Sequence, residues 1–191
     1  MSNYPKNYEF KETPSDYMKF ELGQNKVRIL APVILGFESW ENKHPIRYKT
    51  FDEIVADPKA NKIKEFHAFI VWDYKTEMVR LLNVTQKGIQ KSIYNQTLDD
   101  DWSNFTEYDI VITRTGTTMD DTEYAVVFKL PKPITEEINK AFKEVTIKPD
   151  EYFNDGHPIV REQPDAIKNA EEALVGNEDD SAEDVADAVP F

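Results

Sequence analysis

Basic side chains alternate with aromatic ones along the middle of the sequence, between residues 40 and 91. This combination suits single-stranded nucleic acid, because cations follow the phosphates while flat rings stack on unpaired bases without reading their identity. The predicted binding residues are Trp40, Lys43, Arg47, Tyr48, Lys49, Phe69, Trp72, Tyr74, Arg80, Lys87 and Lys91. A second interpretation stays open for each of them, since aromatic rings also fill cores and basic side chains are also solvated at surfaces.

One predicted strand, over residues 64–74, carries aromatic residues on both of its faces. Phe66, Trp72 and Tyr74 lie on the more continuously apolar face, which is predicted to fill the interior of the domain. Trp72 is therefore as good a candidate for the core as for ligand contact. Phe69 lies on the more polar face and is predicted to be the better stacking residue.

Charge is distributed unevenly along the chain, whose formal net charge is −13. Residues 43–94 hold ten basic and six acidic side chains, net +4, whereas residues 95–170 and 171–191 each carry −8. A cationic section followed by an acidic end is typical of a protein that binds a polyanion and has an acidic tail. A solvated acidic surface with local fluctuations in charge is the alternative.

Apolar alternation and the positions of proline and glycine predict a mainly β fold with five core strands. The first is one long bent strand over residues 24–38, interrupted by Pro32 and Gly36. A polar loop over residues 39–62, with a short helix at 51–57, follows it. The remaining elements are strands at 64–74 and 78–84, a helix at 86–96 capped by Thr85, strands at 108–115 and 123–130, and a helix at 134–145.

This order, with one helix between the third and fourth strands, is that of the OB-fold, a partly open five-stranded Greek-key barrel. Its ligands bind to the second and third strands and to the loops that follow the first and fourth. The cationic section 43–94 covers most of the corresponding residues. The predicted organisation is an N-terminal arm over 1–20, an OB-fold binding domain with a C-terminal helix over 21–148, and a flexible acidic tail over 149–191.

The end of the tail, from residue 171, is predicted to be disordered, because small and acidic residues bury too little apolar surface to offset the entropy of ordering. It finishes with an apolar aromatic residue, which we interpret as a hook for partner proteins, although a chance ending is the alternative. The predicted partner-binding residues are Asp179, Asp180, Glu183, Asp184, Asp187, Pro190 and Phe191.

Catalytic chemistry has little support. Without cysteine the chain has no disulfides, Cys-type zinc sites or Fe–S clusters, and it contains no nucleotide-binding, hydrolase or metalloprotease motif. The run Asp99-Asp100-Asp101 resembles a two-metal cluster, but consecutive carboxylates point in different directions. We therefore expect no enzymatic activity, no cofactor and no metal. With neither a signal peptide nor an apolar run of ~18 residues, we expect a cytoplasmic protein without membrane contact.

Several short segments resemble, in their order along the chain, the single-stranded DNA-binding proteins of tailed bacteriophages. They are GQNKVRIL at 23–30, Trp40 with Lys43 and Pro45-Ile46-Arg47, FHAF at 66–69, VTQKGI at 84–89, Trp102, Tyr108-Asp109-Ile110, and the acidic tail ending in Pro190-Phe191. The resemblance implies an OB-fold that coats single-stranded DNA during replication, recombination or repair, in the host cytoplasm. It also implies a tail that recruits polymerase, helicase or primase. The long first loop departs from the family pattern.

Two interpretations from other classes stay open. One is an OB-like adaptor that binds a protein and uses its acidic tail for solubility. The other is a small metal-dependent nuclease or recombination cofactor that uses the carboxylates. Salt-sensitive, sequence-indifferent oligonucleotide binding without metal-dependent cleavage separates the main interpretation from both. Self-association into a homo-oligomer is left open by the sequence.

Overall fold

The computed structural model describes residues 15–118 and 120–161, and this part of the chain is mainly β. The strands are β1 (Tyr17–Met18), β2 (Gly23–Ile29), β3 (Ile34–Glu41), β4 (His44–Tyr48), β5 (Lys64–Asp73), β6 (Met78–Val84), β7 (Asp109–Thr115), β8 (Glu123–Phe128), β9 (Val145–Ile147) and β10 (Ile159–Arg161). The α-helices are α1 (Phe51–Ala56), α2 (Lys87–Gln96) and α3 (Glu136–Lys143). The predicted arm over 1–20 is therefore described only from residue 15.

Strands β2 and β3 form the long bent strand that the sequence predicts. Both pair antiparallel with β5, with Ile29 opposite Val71 and Ile34 opposite Ala68. The register shifts by two residues between these pairs, so the bent strand carries extra residues at its corner. Pro32 lies in this corner, where its missing N–H removes no ladder hydrogen bond.

The main sheet has Greek-key connectivity. Its order is β6-β5-β2-β7-β8, so the fourth long strand returns through a connection containing α2 to lie beside the first. The short β1 adds to β6 in parallel, with Tyr17 opposite Leu81, which makes the sheet mixed. Within the described residues no ladder joins β6 to β8, so the five strands do not close into a hydrogen-bonded barrel.

The segment predicted as a polar loop over 39–62 is largely structured, which corrects that prediction. Strand β3 continues to Glu41 and turns back as β4, with Trp40 opposite Pro45. Asn42 and Lys43 both have positive φ, 49° and 70°, as a two-residue hairpin turn requires. The predicted short helix is confirmed as α1.

The two predicted longer helices also form, with different ends. Helix α2 begins after Gln86, whose side chain makes no capping hydrogen bond, so the prediction of Thr85 as its N-cap is wrong. Helix α3 is shorter than predicted and begins after Thr135, whose hydroxyl accepts a hydrogen bond from the Ile138 N–H at 3.4 Å. In the described part of the chain, no helix is long and apolar enough to cross a membrane.

Both faces of β5 are buried, each in a separate apolar cluster. Phe69 and Val71 lie in the cluster that α2 covers, together with residues of β2, β6 and β7. Phe66, Ala68, Ile70 and Trp72 lie in a second cluster, with Val79, Leu81, Ile138, Tyr152 and Ile159. The C-terminal elements after residue 134 therefore cover the outer face of β5 and β6.

The folded unit extends beyond the predicted domain end at residue 148. A 3-10 turn over Pro149–Phe153 buries Tyr152 completely, and β10 pairs with β9 in a separate two-stranded sheet. Residues 149–160 therefore belong to the body and not to a flexible tail. The predicted tail residues from 162 onward, including the whole partner-binding set, lie outside the described residues.

Candidate nucleic-acid interface

Two of the predicted stacking residues are core residues. Phe69 is 1% exposed and Trp72 is 3% exposed, and they point into opposite clusters across β5. The prediction that Phe69 is the better stacking residue is wrong, because α2 covers its face of the strand. Neither ring has a face open to a base in this conformation. The alternative interpretation of Trp72 as a core residue is the one that the structure supports.

The predicted binding residues at the end of β4 and just after it have intramolecular partners. The Arg47 guanidinium lies over the Tyr152 ring, 3.9 Å from its centroid. Lys49 Nζ is 2.7 Å from an Asp150 carboxylate oxygen. Tyr48 is buried and donates its hydroxyl hydrogen bond to Asp57, at 2.7 Å. These three residues fix the position of the β3–β4 hairpin, and only Lys49 is exposed.

The pKa of the Tyr48 hydroxyl is consistent with this fixed role. Burial raises it most, the hydrogen bond to Asp57 and the nearby carboxylates raise it further, and the pKa reaches about 12. Tyr48 therefore stays protonated and keeps donating to Asp57 throughout the neutral pH range.

Arg80 and Tyr74 also have intramolecular partners. Arg80 donates to Asp73 at 2.8 Å and to the backbone oxygens of Ser15 and Tyr17, at 2.8 and 2.6 Å. The Tyr74 hydroxyl donates to Asp109 at 2.8 Å. Their predicted role in ligand binding competes with these contacts, which tie β1 to β6 and Tyr74 to β7.

Asp109 is the centre of a buried ionic cluster at the start of β7. Its carboxylate contacts the fully buried Arg28 at 2.7 Å, and Lys132 and Lys26 approach from the surface at 2.9 and 3.1 Å. Burial by itself raises the pKa of Asp109, but hydrogen bonds from Lys132, Tyr74, Lys26 and Arg28 outweigh it and lower the pKa to about 2. Three cations around one carboxylate leave this corner of the sheet positively charged.

Two further predicted cations, Lys87 and Lys91, line a groove that has exposed aromatic and apolar surface. The groove has a volume of about 370 Å³ and lies between α2 and the first residues of β3 and β5. Its lining residues are Leu35, Glu65, His67, Lys87, Gln90, Lys91 and Tyr94. We call this surface the α2 groove. It is open to solvent and not enclosed, so an extended ligand could enter it.

The position of α2 over the groove is fixed by a buried amide. Gln90 donates two hydrogen bonds, to the backbone oxygens of Val84 at 2.8 Å and Glu65 at 3.0 Å. Ile89 and Ile93 bury the opposite side of the helix in the core. Lys87, Lys91 and Tyr94 consequently share the exposed side, because positions i, i+4 and i+7 lie on one face of a helix.

Tyr94 is the aromatic residue that sequence reasoning missed. It is 59% exposed, more than Trp40 at 55%. The signal was present in its spacing from the two predicted lysines, three residues after Lys91 and seven after Lys87. Leu35, which is also exposed, and His67 were missed too, and they meet because the register of β3 and β5 places them opposite each other.

One acidic residue lies within this basic groove. The Glu65 carboxylate makes a short contact with Lys87 Nζ, and its other oxygen is 3.6 Å from His67 Nε2. The hydrogen bond from Lys87 is the main reason that the pKa of Glu65 is lowered. Desolvation lowers the pKa of His67 despite this neighbour, so the imidazole is neutral at pH 7. In the protein without a ligand, Glu65 is therefore paired with Lys87, one of the two lysines of the groove.

The tip of the β3–β4 hairpin carries the other exposed pair, Trp40 and Lys43. The Trp40 indole N–H donates to Glu38 at 3.2 Å, which orients the ring while leaving much of it in solvent. Lys43 lies in the turn itself and is exposed. Of the eleven predicted binding residues, five are exposed: Trp40, Lys43, Lys49, Lys87 and Lys91. Lys49 and Lys87 each have a surface carboxylate as partner, Asp150 and Glu65.

The acidic run at 99–101 has a local structural role. Asp99 caps a 3-10 turn over Asp100–Trp102 by accepting a hydrogen bond from the Asp101 N–H at 3.0 Å. Across residues 15–118 and 120–161, no three acidic or histidine side chains are grouped in a way that could hold a metal ion.

Comparison with protein-family models, with curated proteins and with solved structures finds no match to this chain.

Proposed function

We propose that this protein binds single-stranded DNA without sequence preference, on an open variant of the OB-fold. The observation that carries the proposal is the α2 groove, where two lysines and an exposed tyrosine lie on one face of α2. The strand order β6-β5-β2-β7-β8, with a helix between the third and fourth long strands, supports the OB-type assignment. The ring supplies a stacking platform and the lysines supply phosphate contacts.

The proposed binding surface differs from the usual OB-fold surface. The outer face of the second and third strands is covered by the C-terminal elements of the body, so it has no room for bases. In our proposal the ligand instead lies in the α2 groove, and Trp40 and Lys43 at the hairpin tip provide a second contact. The groove is open rather than enclosed, which suits an extended polymer and any base.

The biological role that we propose follows from the sequence resemblance. The protein would coat single-stranded DNA during replication, recombination or repair of a bacteriophage genome. Its acidic tail would recruit replication proteins through its final residues. A tail of this charge competes with DNA for the lysines of the groove, since both are polyanions.

Tyr94→Ala is expected to weaken binding of oligo-dT by about 1–3 kcal/mol, the range for one lost base–aromatic stack. The dependence of affinity on salt should stay unchanged, because no phosphate contact is lost. Fluorescence anisotropy at several salt concentrations measures both quantities. Leu98→Ala is the matched control, because Leu98 is equally exposed just beyond α2 but does not line the groove. Equal affinities of the Tyr94→Ala variant and the wild type would place the DNA elsewhere.

Glu65→Gln is expected to tighten DNA binding, because it releases Lys87 from its carboxylate partner. The slope of log affinity against log salt should become steeper by about 0.7, the value for one additional phosphate contact on a single strand. Lys91→Ala should change the slope by a similar amount in the opposite direction. Glu144→Gln, at the exposed end of α3, has the same charge change without contact to the groove and should leave both quantities unaltered. A looser complex for Glu65→Gln would contradict the proposed position of the phosphates.

A further inference from the structure

Strand β8 forms an edge of the main sheet with unused hydrogen-bonding groups. It pairs with β7 over its whole length, from Thr115 opposite Glu123 to Ile110 opposite Phe128. In the described part of the chain nothing pairs with its other edge. Strand edges of this kind are usually shortened, bulged or interrupted by proline, because they otherwise pair with another strand. Strand β8 has six residues in unbroken register and contains neither proline nor glycine.

The residues that face the open edge follow from one hydrogen bond. The Lys129 N–H donates to the Asp109 oxygen at 2.9 Å, in the same register as the β7–β8 ladder. Successive residues of an antiparallel strand direct their backbone groups to alternate sides. Odd-numbered residues therefore bond to β7, and Tyr124, Val126 and Phe128 direct their N–H and C=O groups to the open edge.

The side chains of β8 are self-complementary about Val126. Two copies of β8 could pair antiparallel about a two-fold axis through Val126. Each residue then lies opposite the residue that is equally far from Val126 on the other side. Glu123 then lies opposite Lys129 of the second copy, and Ala125 lies opposite Val127. Opposite charges therefore meet at both ends of the paired strands, while the residues between them are small and apolar.

The hydrogen-bonding pattern agrees with the same axis. With Val126 on the two-fold axis, the edge-facing residues form the hydrogen-bonded pairs, Val126 with Val126 and Tyr124 with Phe128. Glu123 and Lys129 then form a non-hydrogen-bonded pair, in which the side chains approach each other most closely. A register shifted by one residue would place the wrong backbone groups opposite each other. A shift by two would no longer place Glu123 opposite Lys129.

The outward face of the strand carries exposed apolar side chains, which such pairing would partly cover. Ala125 is exposed, Val127 is 47% exposed, and Leu130 just beyond the strand is exposed as well. Pro131 and Pro133 follow directly and limit the pairing to this short stretch. Closed two-fold dimers are the commonest assembly of soluble proteins, and this edge needs only one further strand.

We propose that two copies of this protein associate through antiparallel pairing of their β8 strands, with the two-fold axis at Val126. Strand β8 contributes no residue to the α2 groove, so dimerisation and DNA binding can be tested separately although α2 itself lies against β8. Its occupant is a second copy of this chain, since the charge pattern is complementary to itself.

Sedimentation equilibrium of the full-length protein tests the proposal, from about 1 µM to about 1 mM, which spans weak to moderate affinities. The chain weighs 22.2 kDa, and its average mass should approach twice that value as the concentration rises. Glu123→Lys and Lys129→Glu should each weaken the dimer about tenfold, since each places like charges opposite each other at both ends. The double variant Glu123→Lys, Lys129→Glu restores opposite charges in the dimer and should restore its affinity.

Val126→Pro is the second test, because it removes the central edge-facing N–H without breaking a bond to β7. It should abolish the dimer and lower the thermal midpoint of the monomer about as much as Val126→Ala does, because both lose the packing of Val126 against the core. Val126→Ala keeps the N–H and should keep the dimer. A mass of 22.2 kDa at every concentration would overturn the proposal, whether the edge is left open or is covered by another segment of the chain. So would a dimer that survives both the single charge reversals and Val126→Pro.

Discussion

Replacing Asp109 with alanine is expected to lower the free energy of unfolding by about 3–5 kcal/mol, the usual cost of removing one partner of a buried ion pair. Arg28 is fully buried, and Asp109 is its only acidic partner among the described residues. Without the carboxylate, the guanidinium would be left in the core next to the ammonium groups of Lys26 and Lys132. Urea denaturation followed by tryptophan fluorescence measures the change.

Asp150→Ala provides the control for this prediction. Its ion pair with Lys49 has a similar geometry, but the Asp150 side chain is largely exposed. Its loss should cost less than about 1 kcal/mol, as for other surface pairs. Similar losses for the two variants would show that the buried cluster contributes no more than a surface contact.

The depressed pKa of Asp109 also gives the sign of a pH dependence. A folded-state pKa of about 2 lies below the value for an unfolded chain, about 3.9. The stabilisation is therefore complete above about pH 4 and is lost as the pH falls towards 2. The Asp109→Ala variant should show a smaller decrease in stability over this interval than the wild type. Parallel curves would contradict the assignment of this pKa.

Trp72→Ala is expected to cost about 3–5 kcal/mol of stability, as for other large aromatic residues removed from a core. The ring lies between β5 and the C-terminal elements, in the cluster that includes Ile138 and Tyr152. The folded fraction of the variant should bind oligo-dT as the wild type does, because the ring has no free face. Thermal denaturation and anisotropy on the same sample separate the two effects.

Trp40→Ala should show the opposite pattern, because this ring is largely exposed at the hairpin tip. Its thermal midpoint should change little, and its affinity for DNA should fall by about 1–3 kcal/mol. If Trp72→Ala instead lost DNA binding at unchanged stability, the outer face of β5 and β6 would be the binding surface after all.

The five long strands and the three α-helices could be predicted from the sequence because their signals are local. Alternating apolar residues mark β5 to β8, and Pro32 marks the bend between β2 and β3. The β3–β4 hairpin lacks such a signal, because its turn contains no glycine. Asn42 and Lys43 adopt the positive φ values instead.

The binding surface was harder to predict, because it depends on contacts between residues far apart in sequence. The pattern of β5 does not indicate that both of its faces are covered, since α2 covers one and residues after 134 cover the other. Nothing in the sequence indicates partners for Arg47 and Lys49. In the structure they contact Tyr152 and Asp150, which follow about a hundred residues later. Tyr94 is different, because its helical spacing from Lys87 and Lys91 is visible in the sequence and could have predicted its place on the same face.

Titration of the full-length protein with fluorescent oligo-dT at a low and a moderate salt concentration tests the central claim most directly. We expect affinity to fall with a slope of about −2 to −5, since each phosphate contact contributes about −0.7 on a single strand. Duplex DNA of the same length should compete poorly, because its bases are not free to stack on Tyr94 and Trp40. Binding that is unchanged by salt, or that prefers the duplex, would contradict the proposed function.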